Sequence, residues 1–252
     1  MRVGKKLELG LELAAGLADP GNWRTLIFAL RARKMLAEQE CPICGYKGRF
    51  DTGGILPPRM NASCPGCSAM ERNRLLQLAI QRGKLTFAGK TILHFAPEPA
   101  VQRMIAAAGP ADYLTADLDP TKAMRSINIE KIDLPDQSYD TVICSHILEH
   151  VDHHKALAEI FRVLKPNGLA IFMFPIIEAW DKTYEDPQFR NTPEQRTMHF
   201  GQDDHIKYFG RDVHDDIRRA GYDLELFIAE GADSARYALM RGETIFLASK
   251  PA

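Results

Sequence analysis

Apolar positions in the second part of the chain switch repeatedly between strand-like runs and helical spacing. Thr91 to Ala96 reads as a strand, Ala100 to Ala108 as a helix, and Tyr113 to Ala116 and Tyr139 to Cys144 as two further strands. His153 to Leu164 has the helical period, with Lys165-Pro166-Asn167-Gly168 as its stop, and Leu169 to Phe174 is a fully apolar strand. Tyr222 to Ala229 and Thr244 to Ser249 supply two late strands. Strand and helix in alternation predict a doubly wound α/β sheet, in which ligands sit beyond the carboxyl ends of the strands.

The first part of the chain follows different rules. Up to about residue 38 the spacing is helical, with Trp23, Ile27, Leu30 and Leu36 near one face and Arg24, Arg31, Arg33 and Lys34 elsewhere. Such a basic amphipathic helix can touch a membrane surface or RNA, or pack on its own protein. Ser68-Ala69-Met70-Glu71 has the form of a capping box, which predicts a helix to about Arg82 carrying Arg72, Arg74 and Arg82. The expected organisation is a helical segment over 1–38, a cysteine element with its following helix over 39–88, and the sheet domain over 89–252.

Composition narrows this. With 252 residues, 45% hydrophobic and 26% charged, the chain is neither disordered nor fibrous. The longest apolar run, Leu169 to Ile177, is broken by Pro175 and falls far short of the roughly 18 residues of a membrane span. Glu8 and Glu12 interrupt what would be a signal peptide's apolar core, so a soluble cytoplasmic protein is expected. Residues 1–90 carry 15 Lys and Arg against 7 Asp and Glu, net +8, and the remainder 17 against 26, net −9, which together give the overall −1. The two parts therefore meet different partners, or each other.

Cys41-Pro42-Ile43-Cys44 is answered by Cys64-Pro65-Gly66-Cys67, with 19 residues between the pairs. Two Cys-x-x-Cys turns bring four sulfurs onto one tetrahedral ion, and the spacing fits a zinc ribbon. Disulfides are disfavoured in a cytosolic chain, and a redox dithiol needs only one pair. Four thiolates leave no open coordination position, so the zinc ion is expected to be structural.

The run Leu134-Pro135-Asp136-Gln137-Ser138-Tyr139-Asp140-Thr141-Val142-Ile143-Cys144-Ser145-His146-Ile147-Leu148-Glu149-His150-Val151, followed by Glu159-Ile160-Phe161-Arg162-Val163-Leu164-Lys165-Pro166-Asn167-Gly168, resembles class I S-adenosylmethionine-dependent methyltransferases. The nearest flavour is the type 11 group that includes the ubiquinone and menaquinone C-methyltransferases, and the resemblance spans about residues 89–250. A subset of bacterial relatives pairs such a domain with an N-terminal four-cysteine element and a Phe-Gly-Gln-x-Asp-His stretch, matched by Phe200-Gly201-Gln202-Asp203-Asp204-His205. The resemblance implies a seven-stranded, mostly parallel, Rossmann-like sheet with S-adenosylmethionine as cofactor. Its first glycine-rich turn is replaced by Ala96-Pro97-Glu98-Pro99, with His94 where an acidic residue is usual. Two prolines remove two amide donors, which makes Glu98 a candidate partner for the cofactor's ammonium group. The family pattern further implies Asp117 on the ribose hydroxyls, with Leu118 beside it and Asp119 as a substitute. It implies Asn128 and Ile129 at the adenine ring, and Ser145 and His146 at the cofactor mouth.

Methyl transfer is an in-line displacement that needs alignment, exclusion of water and, for a protonated nucleophile, a base. His146 is the first candidate base, or else it orders the following helix, and His150 is read as structural. Residues 175–214 are too long for a plain connection and are expected to form a substrate lid, in which Arg196, His199 and His205 are candidate acceptor contacts. The Asp203, Asp204, His205 trio is a weak metal motif, because consecutive residues cannot easily face one ion. Three functions follow: a methyltransferase for a small-molecule or glycan-type acceptor, an RNA methyltransferase held by the ribbon and basic helices, or a non-catalytic zinc-ribbon scaffold. Acceptor and oligomeric state are not encoded in these patterns.

Overall fold

The computed structural model describes residues 37–53 and 59–252 together with Trp23, Ile27 and Arg31. Of the expected helical segment 1–38, only those three residues, which are helical and exposed, and Ala37 and Glu38 fall within the described residues.

Two small hairpins come first: β1 (Gln39–Glu40) pairs with β2 (Lys47–Gly48), and β3 (Asp51–Gly53) with β4 (Arg59–Ser63). Helix α1 (Glu71–Gln81) follows. The main sheet then forms from β5 (Thr91–Phe95), β6 (Asp112–Asp117), β7 (Arg125–Ser126), β8 (Tyr139–Ser145), β9 (Leu164–Met173), β10 (Asp223–Ile228) and β11 (Thr244–Ser249). Its order is β10-β11-β9-β8-β5-β6-β7, parallel throughout except that β11 runs antiparallel to both neighbours. This is the expected seven-stranded, mostly parallel sheet.

Alternation of side chains decides which helices cover which face. Val142, Cys144, Ala170, Phe172, Phe246 and Ala248 point to the face covered by α3 (His153–Val163) and, after α4 (Pro193–Phe200), by α5 (Val213–Arg219), where Leu157, Ile160 and Ile217 are fully buried. Ile92, Ile143, Ile171, Ile245 and Leu247 point to the face covered by α1 and α2 (Pro99–Ala108), where they meet Leu75, Leu76, Val101 and Ile105. Burial on both faces explains why these strands read as continuous apolar runs.

Two boundaries differ from expectation. Ser68 and Glu71 do not form a capping box: α1 starts after Met70, whose amide donates to Asn73 Oδ1 at 2.9 Å. Ser68 instead sits at φ 59°, closing the turn after Cys64. The Lys165-Pro166-Asn167-Gly168 stop is no loop outside the sheet; α3 ends at Val163 and the run lies within β9, as an excursion between the Leu164–Tyr139 and Leu169–Thr141 pairings.

The chain leaves β5 toward β6 on one side, and later returns as β8 on the other side of β5. The turns after Phe95 and Ser145 therefore flank the point where strand order reverses, the crevice in which open α/β sheets take ligands.

Candidate functional site

The two cysteine pairs are built as matching knuckles. Gly45 N–H donates to the Cys41 carbonyl at 2.9 Å and Ser68 N–H to the Cys64 carbonyl at 2.7 Å, with both turn residues at positive φ. Cys41 Sγ lies 3.7 Å from Cys67 Sγ, and Cys44 Sγ 3.6 Å from Cys64 Sγ. Four sulfurs at zinc bond length of about 2.3 Å on a tetrahedron lie about 3.8 Å apart. That spacing fits an ion and is far too long for a disulfide of about 2.05 Å. The donor set thus fits zinc. Gly66 permits the approach, since a Cβ there would lie 3.2 Å from Cys44 Sγ.

At the sheet's carboxyl edge, Ala96 turns the chain at φ 47°, and its amide is already used on the Ala116 carbonyl at 2.8 Å. Pro97 and Pro99 carry no amide hydrogen, so little of this turn's backbone is left to donate. Glu98 is committed: Arg72 Nε lies 3.0 Å from each carboxylate oxygen, and Asn73 Nδ2 is 2.9 Å from Oε2. Burial alone would raise this carboxyl, but Arg72 and Asn73 hold it below the usual range. His94 is fully buried, which pushes its imidazole down to about 4 and keeps it neutral. Its Nδ1 meets Tyr113 Oη at 2.9 Å, while Nε2, like the buried Ser145 Oγ, has no hydrogen-bond partner among the described residues.

Across the crevice, Asp117 ends β6 with Oδ1 accepting the Asp119 amide at 2.8 Å. Asp119 is half-buried, and its Oδ1 accepts from the Thr121 amide and hydroxyl. Leu118 beside them is 67% exposed, an apolar side chain facing solvent at a strand end. Asn128 is exposed and caps its own turn through Glu130 N–H, whereas Ile129 is buried in the core.

After β8, His146 sits at φ 55° with Nδ1 3.2 Å from Glu149 Oε1, and its Nε2 is buried without a partner among the described residues. It lines a cavity of about 340 Å³ together with Arg59, Glu71 and Arg72, Phe174 to Ile176, Gln202, and residues 240–244 leading into β11. His199 and His205 are not brought to it. His199 stacks on Phe189 with ring centroids 3.6 Å apart and bonds Tyr184 Oη at 2.7 Å, within the 175–214 segment. His205 is buried against Glu149, and Arg196 is held by the Asp203 and Arg190 carbonyls.

Glu243 is the residue that sequence reading missed. Burial pushes its carboxyl up to about 7, with His146, Arg72 and Arg59 opposing the rise and Glu71 adding to it. Nothing near position 243 announces this, because those four groups come from chain segments more than 90 residues away. A carboxyl whose folded pKa is raised contributes stability below its unfolded pKa and loses it as pH rises through about 7. Glu243→Gln is expected to abolish this slope, worth about 3 kcal/mol between about pH 5 and about pH 8. Denaturant unfolding at the two pH values measures it; equal pH slopes for both proteins would show that the carboxyl is solvated.

The sheet order, the antiparallel β11 and the crevice after β5 and β8 define a Rossmann-like α/β domain, and residues 90–172 match the family described as Methyltransferase domain. The chain is similar to the ubiquinone/menaquinone biosynthesis C-methyltransferase UbiE of Vibrio cholerae serotype O1, 32% identical over 90 residues, 34% of this chain and 35% of that protein. UbiE of Salmonella paratyphi B is 33% identical over 90 residues, 34% of this chain and 36% of its own. The chain thus matches about a third of the length of these curated relatives. The fold is shared with an S-adenosylmethionine-dependent methyltransferase from Mesorhizobium loti (TM-score 0.52, 17% identity, 69% of this chain and 97% of that one). It is also shared with the [4+2]-cyclase SpnF (TM-score 0.55, 14% identity, 84% and 89%). Two such names on one fold leave the reaction to be argued from the site.

Proposed function

We propose that this chain is an S-adenosylmethionine-dependent methyltransferase for a small polar acceptor, of small-molecule or glycan type, with a structural zinc ion on Cys41, Cys44, Cys64 and Cys67. The observation that carries this reading is the cavity of about 340 Å³ beside His146, a size suited to a small ligand. Arg59, Arg72 and Arg241 line it with Glu71, Glu243 and Gln202, a set suited to hydroxyl, carboxylate or phosphate groups.

Asp117 has its second carboxylate oxygen to offer the ribose hydroxyls, whereas Asp119 Oδ1 already takes both the Thr121 amide and hydroxyl and its Oδ2 faces Lys122 Nζ at 4.0 Å. Leu118 offers an apolar surface to the nucleoside. Bound there, the cofactor supplies an electrophilic methyl group. Glu149 orients the His146 ring through Nδ1, leaving Nε2 to take a proton from the acceptor. The 175–214 segment closes one wall through Pro175, Ile176 and Gln202, and so keeps water from the crevice.

RNA is the weaker reading, because much of the basic charge described in residues 37–90 is already paired. Arg72 meets Glu98, Arg82 meets Asp233 and Lys84 meets Glu225, while Arg74 is buried. Calorimetry with S-adenosylmethionine tests the proposal: binding is expected, and Asp117→Ala should weaken it by about 1.5–3 kcal/mol as a charged acceptor is lost. No heat and no thermal stabilisation at millimolar cofactor would leave a scaffold. Labelled cofactor offered with small-molecule and RNA fractions of a cell extract separates the two acceptor classes.

A further inference from the structure

Behind His146 lies a second cluster of metal-ligating side chains. Glu149 follows β8 in a single turn of 3-10 helix, Leu148–His150, and His205 arrives from the 175–214 segment. One donor atom from each of Glu149, His150 and His205 lies within 4.8 Å of the other two. The segment is docked here by its backbone as well, Ile206 N–H donating to the Glu149 carbonyl at 3.0 Å.

Three observations point to a cation. Glu149 is 1% exposed and its Oε2 has no hydrogen-bond partner among the described residues. A carboxylate in that position carries a large desolvation cost. Its only ion-pair contacts among the described residues are to imidazoles, His146 at 3.2 Å and His205 at 4.0 Å, with no lysine or arginine near it. The imidazoles are presented as ligands are: His150 Nδ1–H donates to the Asp204 carbonyl at 3.0 Å, which fixes the tautomer and leaves Nε2 with its lone pair. His205 turns Nε2 toward Glu149, and its ring meets that of His150 edge-on at 4.7 Å.

A neighbouring cluster shows the contrast. His153, His154 and Asp216 are also close together, but Lys207 Nζ sits 2.9 Å from His153 Nδ1 and Asp216 is taken by His153 and Arg219. Fixed cations already serve that site.

We infer that Glu149, His150 and His205 form a binding site for one divalent first-row transition ion, clamping the 175–214 segment onto the end of β8. Two imidazoles and a carboxylate select zinc, manganese, iron or cobalt over magnesium and calcium, which prefer all-oxygen shells. Small rotations bring the three donors to bond lengths of about 2.0–2.2 Å. The ion differs from the one expected in the ribbon by having no sulfur ligand, and three protein donors leave it an open coordination position. The trio of consecutive residues Asp203, Asp204 and His205 does not make the site; only His205 joins it, with residues 55 and 56 positions earlier in the chain.

The test is Co²⁺ titration of full-length protein with its ribbon zinc in place. One Co²⁺ per chain should bind with weak visible d–d bands and no sulfur-to-cobalt charge transfer. Glu149→Gln and His205→Asn should lose at least about 100-fold in Co²⁺ affinity while ribbon zinc stays stoichiometric. Should either buried variant fail to fold, His150→Gln, at a half-buried position, gives the same reading. Absence of a second ion from wild type in micromolar Co²⁺, Zn²⁺ or Mn²⁺ overturns the site, as does a second ion retained by these variants. The readout is independent of cofactor binding, so it stands or falls apart from the methyltransferase reading.

Discussion

Serine in place of Cys41 or Cys64 is expected to release the ribbon's zinc and unfold the segment it holds. Apolar burial holds it only weakly: among the described residues its buried apolar side chains are Phe50, Ala62, Ala69, Cys41 and Cys64. Metal binding in such small elements supplies about 10–16 kcal/mol of folding free energy, far more than this core can replace. The loss should travel to the candidate active site. Arg59 on β4 pairs with Glu71 at 3.0 Å, and both line the cavity beside His146. Zinc content by mass spectrometry, the thermal unfolding midpoint and cofactor affinity should therefore fall together. Cys144→Ala is the control, since Cys144 lies in the sheet core outside the cluster and its loss should leave zinc in place. Stoichiometric zinc retained in both serine variants would remove the ribbon assignment.

The sheet was legible because its signals are local. Apolar runs, intervening helices and the Leu164-Lys165-Pro166-Asn167-Gly168 stretch each report on their own neighbourhood. The cysteine cluster was legible because ligand spacing is itself a geometric statement. Misreading began where two local signals compete for one residue: Ser68 fits a helix cap, but the cysteine knuckle needs a left-handed residue one position after Cys67, as Gly45 serves after Cys44. The metal geometry wins because it satisfies four sulfurs at once. The charge split was visible but not its resolution. Only the fold shows Arg82 on Asp233 at 2.6 Å and Lys84 on Glu225 at 2.7 Å. Least legible was the cavity, whose walls come from residues 59, 71–72, 146, 174–176, 202 and 240–244. No periodicity links such positions, and only His146 and Gln202 lie in the stretches that carry the family resemblance.

Arg74→Met is expected to be the most damaging change outside the cysteines. The guanidinium is fully buried and spends all five N–H donors on backbone carbonyls: Nε on Tyr237 at 2.8 Å, Nη1 on Ala62 at 3.0 Å and Ala69 at 2.6 Å, Nη2 on Asn61 at 3.2 Å and Ala238 at 2.5 Å. Three acceptors belong to the cysteine segment and two to the chain after α6 (Gly231–Arg236), so one side chain on α1 ties three parts together. Its charge also faces Glu71 and the thiolates of Cys41, Cys64 and Cys67, which a zinc tetrathiolate would leave with net negative charge. Phe50 packs beneath it with the guanidinium carbon 4.7 Å from the ring centre. Methionine fills the volume but strands five buried carbonyls, a loss of about 3–5 kcal/mol. Arg74→Lys keeps the charge with only three donors, and should fall between wild type and Arg74→Met. Denaturant unfolding with zinc measured on the same samples distinguishes the outcomes. If both variants unfold at the wild-type denaturant concentration, the carbonyls must find other partners, and the attachment of the ribbon to the sheet domain does not rest on this side chain.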